Sequence, residues 1–182
     1  SQKGLRFFLR SYYYYKSNDW KHNKPHKLNS WSAEEMSRMP YYYIMSLNKN
    51  MAETVEKFSP NLEQIKSCKW LKEDELDVYF KIYSKTEFQG GLNWYKAMTN
   101  SDQNDKIIKA NLYDTINIPS CFIAGSSDWG IYQIPGALDK MQNETLTQLD
   151  SIHIIDNAGH WVQQESPRAV INVLNNFIKK HI

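Results

Sequence analysis

The chain has 182 residues, and its 22 basic and 20 acidic side chains give a formal net charge of only +2 at pH 7. This length suits one domain with a substantial core, and the mixed charges create no field that would recruit nucleic acid or an anionic membrane. The sequence contains no apolar run long enough to cross a bilayer and no secretory signal pattern. A small neutral or apolar partner is therefore expected.

The cysteines and the closely spaced histidines form no convincing metal-binding pattern. Cys68 and Cys121 are the only cysteines, and neither lies in a C-x-x-C spacing. We expect two free thiols in a reducing compartment, the cytoplasm. His22 and His26 have the spacing of a helical metal site, but Pro25 lies between them and argues against zinc. Neither a metal nor a cofactor is predicted.

The first region, residues 1–114, is predicted to be a helical cap that is rich in Tyr and Trp. Apolar residues within 5–9 are spaced as one face of a helix, which continues into four consecutive tyrosines at 12–15. The polar stretch 17–31 is typical of a loop. The excess of aromatic side chains indicates an aromatic-lined pocket.

Two capping signals predict short helices in the middle of this region. Ser32 with Glu35 forms a capping box that begins a brief helix, and Pro40 ends it. Pro60 followed by Glu63 indicates a second start, with the proline at the first helical position.

The clearest helix of the first region spans residues 73–84. Four apolar side chains recur there with helical spacing, namely Leu76, Tyr79, Phe80 and Tyr83. Gly90 and Gly91 are predicted to break the chain before a last short helix over residues 92–98.

The second region, residues 115–182, alternates strand and helix in the α/β manner. The uninterrupted apolar run 120–124 suits a strand that is buried on both faces of a parallel sheet. A helix over 135–141 is predicted to cross to a second strand at 153–156. An amphipathic helix with Pro167 near its start follows, so the fold class is α/β with a parallel sheet.

Asp128 and His160 each lie on the loop that follows one of the two predicted strands. Such loops meet at the carboxyl ends of parallel strands, where α/β folds place their active sites. We predict His160 as a general base and Asp128 as the buried acid that orients it, in preference to the strand-end residue Asp156. The sequence contains no G-x-S-x-G elbow and no comparable Asp turn that would supply a nucleophile.

The chain resembles the epoxide-hydrolase-like branch of the α/β-hydrolase superfamily. Four stretches carry the resemblance: Phe-Gln-Gly-Gly-Leu-Asn-Trp-Tyr at 88–95, Gly-Ser-Ser-Asp-Trp-Gly at 125–130, Ala-Gly-His-Trp-Val-Gln-Gln-Glu at 158–165 and, more weakly, 42–53. The match covers nearly all of this chain but only the second half of such a family member. The resemblance implies a partial α/β-hydrolase fold, with a helical cap followed by the last parallel strands and helices of the core.

The resemblance also implies site residues. In this family two cap tyrosines donate hydrogen bonds to the epoxide oxygen. The matching positions are Tyr95 and Tyr42, and the adjacent Tyr43, otherwise a substrate contact, is the alternative to Tyr42. A phenol can stabilise the alkoxide formed on ring opening and still be protonated at pH 7. An Asp that is absent from this chain would attack the ring, and His160 with Asp128 would activate water to hydrolyse the ester. The chain alone is therefore expected to be inactive.

Other functions stay open. A haloalkanoate or haloalkane dehalogenase would share the nucleophile and the base, with Trp94, Trp129 and Trp161 available to contact substrate or halide. A serine nucleophile would instead indicate an esterase. A non-catalytic module is the alternative of another class: either a degenerate hydrolase half that binds a partner or a truncated gene product. The partners expected for the chain are the missing N-terminal half of the hydrolase core or a second copy in a homodimer. A lone strand pair would expose a large apolar surface around Phe122 and Ile154.

Overall fold

The computed structural model describes residues 3–100, 104–106, 109–110 and 115–181. Its helices are α1 (Gly4–Lys16), α2 (Ala33–Met36), α3 (Met51–Glu56), α4 (Leu62–Ser67), α5 (Glu73–Thr86), α6 (Gln89–Met98), α7 (Ala137–Lys140), α8 (Val162–Glu165) and α9 (Pro167–His181). The strands are β1 (Ser120–Gly125) and β2 (Leu149–Ile155). The predicted division between the two regions, at residue 114, lies outside the described residues.

Helix α1 is the centre of the first region, and it forms where the apolar stripe and the tyrosine run predicted it. One of its sides packs Leu9 and Tyr13 against Leu71 and Leu76, which belong to α5 and the turn before it. Another side packs Tyr15 into a second cluster with side chains of the loops and of α3. Two separate apolar clusters therefore share one helix.

The first cluster is stabilised at its edge by ion pairs between α1 and α5. Arg6 Nε contacts Asp77 Oδ1 at 2.9 Å, and Arg10 Nη2 contacts Glu73 Oε1 at 2.7 Å. The Arg10 side chain is buried and also donates to the carbonyl oxygen of Leu71 at 2.6 Å. These bonds fix the position of α5 along α1.

The cap of α2 forms as predicted only in part. Ser32 Oγ accepts a bond from the Glu35 backbone N–H at 3.3 Å, but the Glu35 carboxylate accepts from Asn29 N–H instead of closing the box. The next predicted start was wrong by two residues, because α4 begins at Leu62, capped by Asn61, and not at Pro60. An asparagine side chain that accepts a backbone N–H caps a helix as well as serine does.

The predicted break at Gly90 and Gly91 was also wrong. Both glycines lie inside α6, and the chain turns earlier, at Glu87, which adopts the left-handed region with φ 53°. Glycine permits such a turn but does not require one. The 73–84 helix was confirmed and extends to Thr86 in α5.

The second region contains the predicted parallel strand pair. Phe122 lies opposite Ile152 and Gly125 opposite Ile155, and α9 packs against β2. The predicted crossover helix appears as α7, followed by a single π-helical turn over Met141–Thr145. Apolar side chains remain in solvent on this unit, among them Ile118, Ile154, Ile171, Leu174 and Ile178. The predicted apolar surface is therefore present at Ile154, whereas Phe122 is half-buried.

No helix in the described ranges is long and apolar enough to span a bilayer.

Candidate active site

The two predicted catalytic side chains meet at the carboxyl ends of β1 and β2. His160 Nδ1 lies 3.1 Å from Asp128 Oδ1. The approach depends on Gly125, the last residue of β1, because a Cβ there would lie 2.3 Å from the carbonyl oxygens of Ala158 and Gly159. Such contacts do not occur, so only glycine lets the two loops come this close. The rival acid, Asp156, is exposed.

The environment of Asp128 favours its ionised form. Burial of the carboxyl group raises its pKa, but the hydrogen bond and charge interaction with His160, the Gly130 N–H and the charge of Lys16 outweigh burial, so the pKa lies below its ordinary value. The Gly130 N–H donates to Asp128 Oδ1 at 2.7 Å. An ionised Asp128 can hold the Nδ1–H tautomer of His160, which leaves Nε2 as the basic nitrogen.

The main-chain N–H groups around His160 also form hydrogen bonds. The His160 N–H donates to the carbonyl oxygen of Lys16, the last residue of α1, at 3.0 Å. The Glu165 carboxylate accepts from the N–H groups of Gly159 and Trp161 on either side. Neither Lys16 nor Glu165 was singled out from the sequence. Glu165 could have been found from the sequence, because it is the last residue of the 158–165 stretch that carries the resemblance.

A group of tyrosines lies beside the acid–base pair. Tyr42 is buried, and its hydroxyl group donates to Asn23 Oδ1 at 2.9 Å. Burial raises the pKa of Tyr42 and of Tyr43, and the charge of Asp128 raises both further. Tyr95 lies on α6 and is 64% exposed, yet its charge interaction contributes to the raised pKa of Tyr43. Tyr42 and Tyr43 are therefore electrostatic neighbours of Asp128, with their ring centres 4.9 Å apart, whereas the structure leaves Tyr95 exposed on α6.

The tyrosine group surrounds a buried lysine that sequence reasoning missed. The Lys16 ammonium nitrogen lies 5.4 to 5.6 Å from the ring centres of Tyr12, Tyr42, Tyr43 and Trp161. Burial lowers the pKa of Lys16 to about 8, and the nearby charge of Asp128 opposes this. Ring faces attract a cation, which offsets part of the cost of burying it. A lysine directly after a tyrosine run at a helix end was the only sequence signal.

The three tryptophans named for substrate contact have different surroundings. The indole N–H of Trp161 donates to the Tyr13 carbonyl oxygen at 2.9 Å, and Trp94 is 70% exposed. Trp129 is buried in the cluster around Tyr15, and its indole N–H has no partner among the described residues. In those residues no group of three or more His, Cys, Asp or Glu side chains converges as a metal site would require.

The chain is similar in sequence to parts of several known proteins. No family model matches the chain. It is 36% identical over 109 residues to Epoxide hydrolase A of Mycobacterium tuberculosis, which covers 60% of this chain and 32% of that protein. It is 28% identical over 115 residues to Epoxide hydrolase 2 of Siraitia grosvenorii, covering 61% of this chain and 35% of that protein.

Solved structures of epoxide hydrolases are also similar to the chain. Potato (Solanum tuberosum) epoxide hydrolase I superposes with a TM-score of 0.59 at 28% identity, covering 70% of this chain and 40% of that one. A mutant of VrEH2 superposes with a TM-score of 0.65 over 98% of this chain and 48% of the other, and at 21% identity it shows the fold alone.

The chain therefore has part of an α/β-hydrolase fold, and the resemblance to the epoxide-hydrolase-like branch is confirmed. It spans about a third of the length of the curated relatives it matches.

Proposed function

We propose that this chain forms the helical cap and the acid–base half of a hydrolase that opens epoxides with water. The observation that carries the proposal is the 3.1 Å contact between His160 Nδ1 and Asp128 Oδ1, beside a group of buried tyrosines. The similarity to proteins named epoxide hydrolases supports the choice of substrate class. The substrate is a small neutral or apolar epoxide, and no cofactor is needed because water is the second reactant.

The reaction proceeds in two steps. A carboxylate from chain outside these residues attacks a ring carbon, the C–O bond breaks, and an enzyme ester and an alkoxide form. The alkoxide takes a proton from a tyrosine hydroxyl, which solvent reprotonates. His160 Nε2 then takes a proton from water, and the hydroxide attacks the ester carbonyl. The acyl C–O bond breaks, the leaving diol oxygen takes the proton back from His160, and the nucleophile returns to a carboxylate as it loses its proton to solvent. Asp128 stabilises the imidazolium while this happens.

Tyr95 and Tyr42 are assigned to the epoxide oxygen. A tyrosine hydroxyl that stays protonated at neutral pH donates to the developing alkoxide. The exposed Tyr95 is free to turn toward a ligand, whereas the Tyr42 hydroxyl must leave its bond to Asn23. Tyr43, Trp94, Trp129 and Trp161 are assigned to contacts with the substrate.

The two regions have different roles in the proposed enzyme. Residues 1–114 form the cap, and residues 115–182 form the end of a core whose N-terminal half carries the nucleophile. The chain alone is inactive, and it associates with that half or, failing that, with a second copy of itself. The free thiols of Cys68 and Cys121 support a cytoplasmic location, which cell fractionation would test.

A single-turnover experiment in ¹⁸O-labelled water tests the reaction. The protein that contains this chain together with its nucleophile segment is mixed, in excess, with styrene oxide. Because water attacks the ester carbonyl, the first diol should be unlabelled and the label should enter an enzyme carboxylate. His160→Gln should stop the reaction at the ester, which intact-protein mass spectrometry detects.

Matched tyrosine variants test the proposed donors. Tyr95→Phe and Tyr42→Phe should each lower kcat by about a hundredfold. Tyr41→Phe, on the exposed neighbour of Tyr42, should leave it unchanged. In the single-turnover experiment described above, ¹⁸O in the first diol would contradict the ester mechanism.

Other outcomes would replace the proposed reaction. Halide release from a haloalkane would indicate a dehalogenase, a function that the unpartnered indole N–H of Trp129 favours. Cleavage of p-nitrophenyl acetate alone would indicate an esterase, and no turnover by the complete protein would indicate a binding module.

A further inference from the structure

Glu165, at the end of α8, has an unusual set of partners for a carboxylate. Its Oε2 accepts from the N–H groups of Asn18 at 2.8 Å and Gly159 at 2.9 Å, and its Oε1 accepts from Trp161 N–H at 3.1 Å. Burial raises the pKa of Glu165 above its ordinary value, and the charge of Asp19 adds to this, although the three N–H donors lower it. Three backbone donors are the partners that a buried carboxylate needs in order to keep its charge.

These bonds enclose the catalytic histidine on both sides. Glu165 holds the N–H groups of Gly159 and Trp161, and the intervening His160 N–H donates to the Lys16 carbonyl oxygen at 3.0 Å. Three consecutive N–H groups of the loop are therefore bonded to groups outside it. None of these bonds involves the imidazole ring.

The same carboxylate ties this loop to the end of α1. It reaches Asn18, two residues beyond the helix, and Gly159 packs so closely there that a Cβ would lie 2.6 Å from Asn18 N. Asn18 also accepts from the Ser127 hydroxyl, next to Asp128, at 2.8 Å. Asn18, just beyond the end of α1, thus links Glu165 beside the loop of the base to Ser127 on the loop of the acid.

We propose that Glu165 is a positioning residue that fixes the main chain on both sides of His160 and so aims its Nδ1–H at Asp128. It acts through the backbone and touches no substrate. The catalytic consequence rests on the proposed function, whereas the effect on His160 does not require any substrate.

Glu165→Gln is the sharpest variant. An amide has the same shape, but it can present only one oxygen, so either the Trp161 N–H or the pair from Asn18 and Gly159 then faces an NH₂ group. Glu75→Gln is the matched control. Glu75 accepts from the Lys72 N–H at 2.7 Å at the start of α5, in an exposed cap away from His160.

The first readout is the ¹H,¹⁵N NMR signal of His160 Nδ1–H in the unliganded chain. In Glu165→Gln that proton should exchange with water about fivefold faster, equivalent to losing one ordinary hydrogen bond, and its resonance should move upfield. Glu75→Gln should reproduce the wild-type signal. An unchanged signal in folded Glu165→Gln would overturn the proposal. A residue with a purely structural role would change the stability of the chain and leave the His160 signal as it is.

The unaltered chain provides a second test that does not depend on the variant folding. The amide protons of Gly159, Trp161 and Asn18 should all be protected from hydrogen exchange, and rapid exchange at Gly159 and Trp161 would also overturn the proposal. In the complete enzyme Glu165→Gln should lower kcat about tenfold with KM unchanged. Absence of epoxide turnover would contradict the proposed function and leave the NMR result standing.

Discussion

The helical region over residues 3–100 and the strand region over residues 115–181 bury their apolar side chains to different extents. Leu76 on α5 is fully buried, whereas Leu174 on α9 is 41% exposed. Helices can cover one another with a single apolar stripe each, but a parallel sheet needs cover on both faces and along both edges. The cluster between α1 and α5 is therefore closed, whereas the strand pair and α9 keep apolar side chains in solvent, as the outer faces of α5 and α6 also do.

The exception within the strand region is the acid–base site. Trp129 belongs to the cluster around Tyr15, and Trp161 packs against the cluster that contains Leu9 and Tyr13. The loops after β1 and β2 are therefore supported by the helical region, even where the strands behind them lack neighbours. The site is well packed because it lies where the two regions meet, and not because of its position in the sheet.

The largest effect is expected from breaking that contact at Gly159. A Cβ there would lie within 3 Å of the backbone of Lys16, Ser17 and Asn18, and backbone atoms cannot move aside as a side-chain end can. Gly159→Ala should lower the free energy of unfolding by about 4 kcal/mol or more, as measured by urea denaturation. Unchanged stability would show that the two regions do not touch as described.

Truncating a leucine in each region compares their packing directly. Leu76→Ala should cost about 3 kcal/mol because it leaves a cavity in a closed cluster. The same change at Leu174 should cost less than about 1 kcal/mol in this chain. If the N-terminal core half of the proposed function covers α9, the cost at Leu174 should rise toward that of Leu76 when that half is present. Equal costs in this chain would contradict the difference between the regions.

The buried Lys16 should give stability a distinctive pH dependence. Its ammonium loses its proton near pH 8 in the folded chain, against an ordinary pKa of 10.5. The unfolded state therefore binds more protons between these values, so stability should increase as the pH rises above 8.

Lys16→Met tests this dependence at the contact between the regions. It should remove the rise and stabilise the chain at pH 7 by about 2 kcal/mol. Denaturation at pH 7 and pH 9.5 would measure both effects, and Lys21→Met, at an exposed lysine, is the control. A pH response shared by both variants would contradict the assignment to Lys16.

The smallest effect is expected at Gly91, within α6. A Cβ there meets no atom within 4 Å, and the residue is helical. Gly91→Ala should therefore stabilise the chain by roughly 0.5 to 1 kcal/mol, since alanine is the better helix former. Thermal unfolding would measure the change. Destabilisation would contradict the helical conformation of Gly91.

Local pattern was sufficient for several elements. The spacing of Leu76, Tyr79, Phe80 and Tyr83 determined α5, and the apolar run before Gly125 determined β1. The order of Asp128 and His160 after two parallel strands was enough to predict their contact. In each case the physical cause acts over a few residues or follows from the geometry of adjacent parallel strands.

The sequence by itself thus determined the helical stripes, the strand pair and the contact between Asp128 and His160. Only the tertiary structure decided that Glu87 makes the turn, that Lys16 lies among tyrosines, that Asn23 accepts from Tyr42 and that Glu165 holds the loop of His160. The last three depend on which distant groups become buried together. Burial makes a charge or a hydrogen bond consequential, and burial is a property of the folded chain rather than of any short stretch.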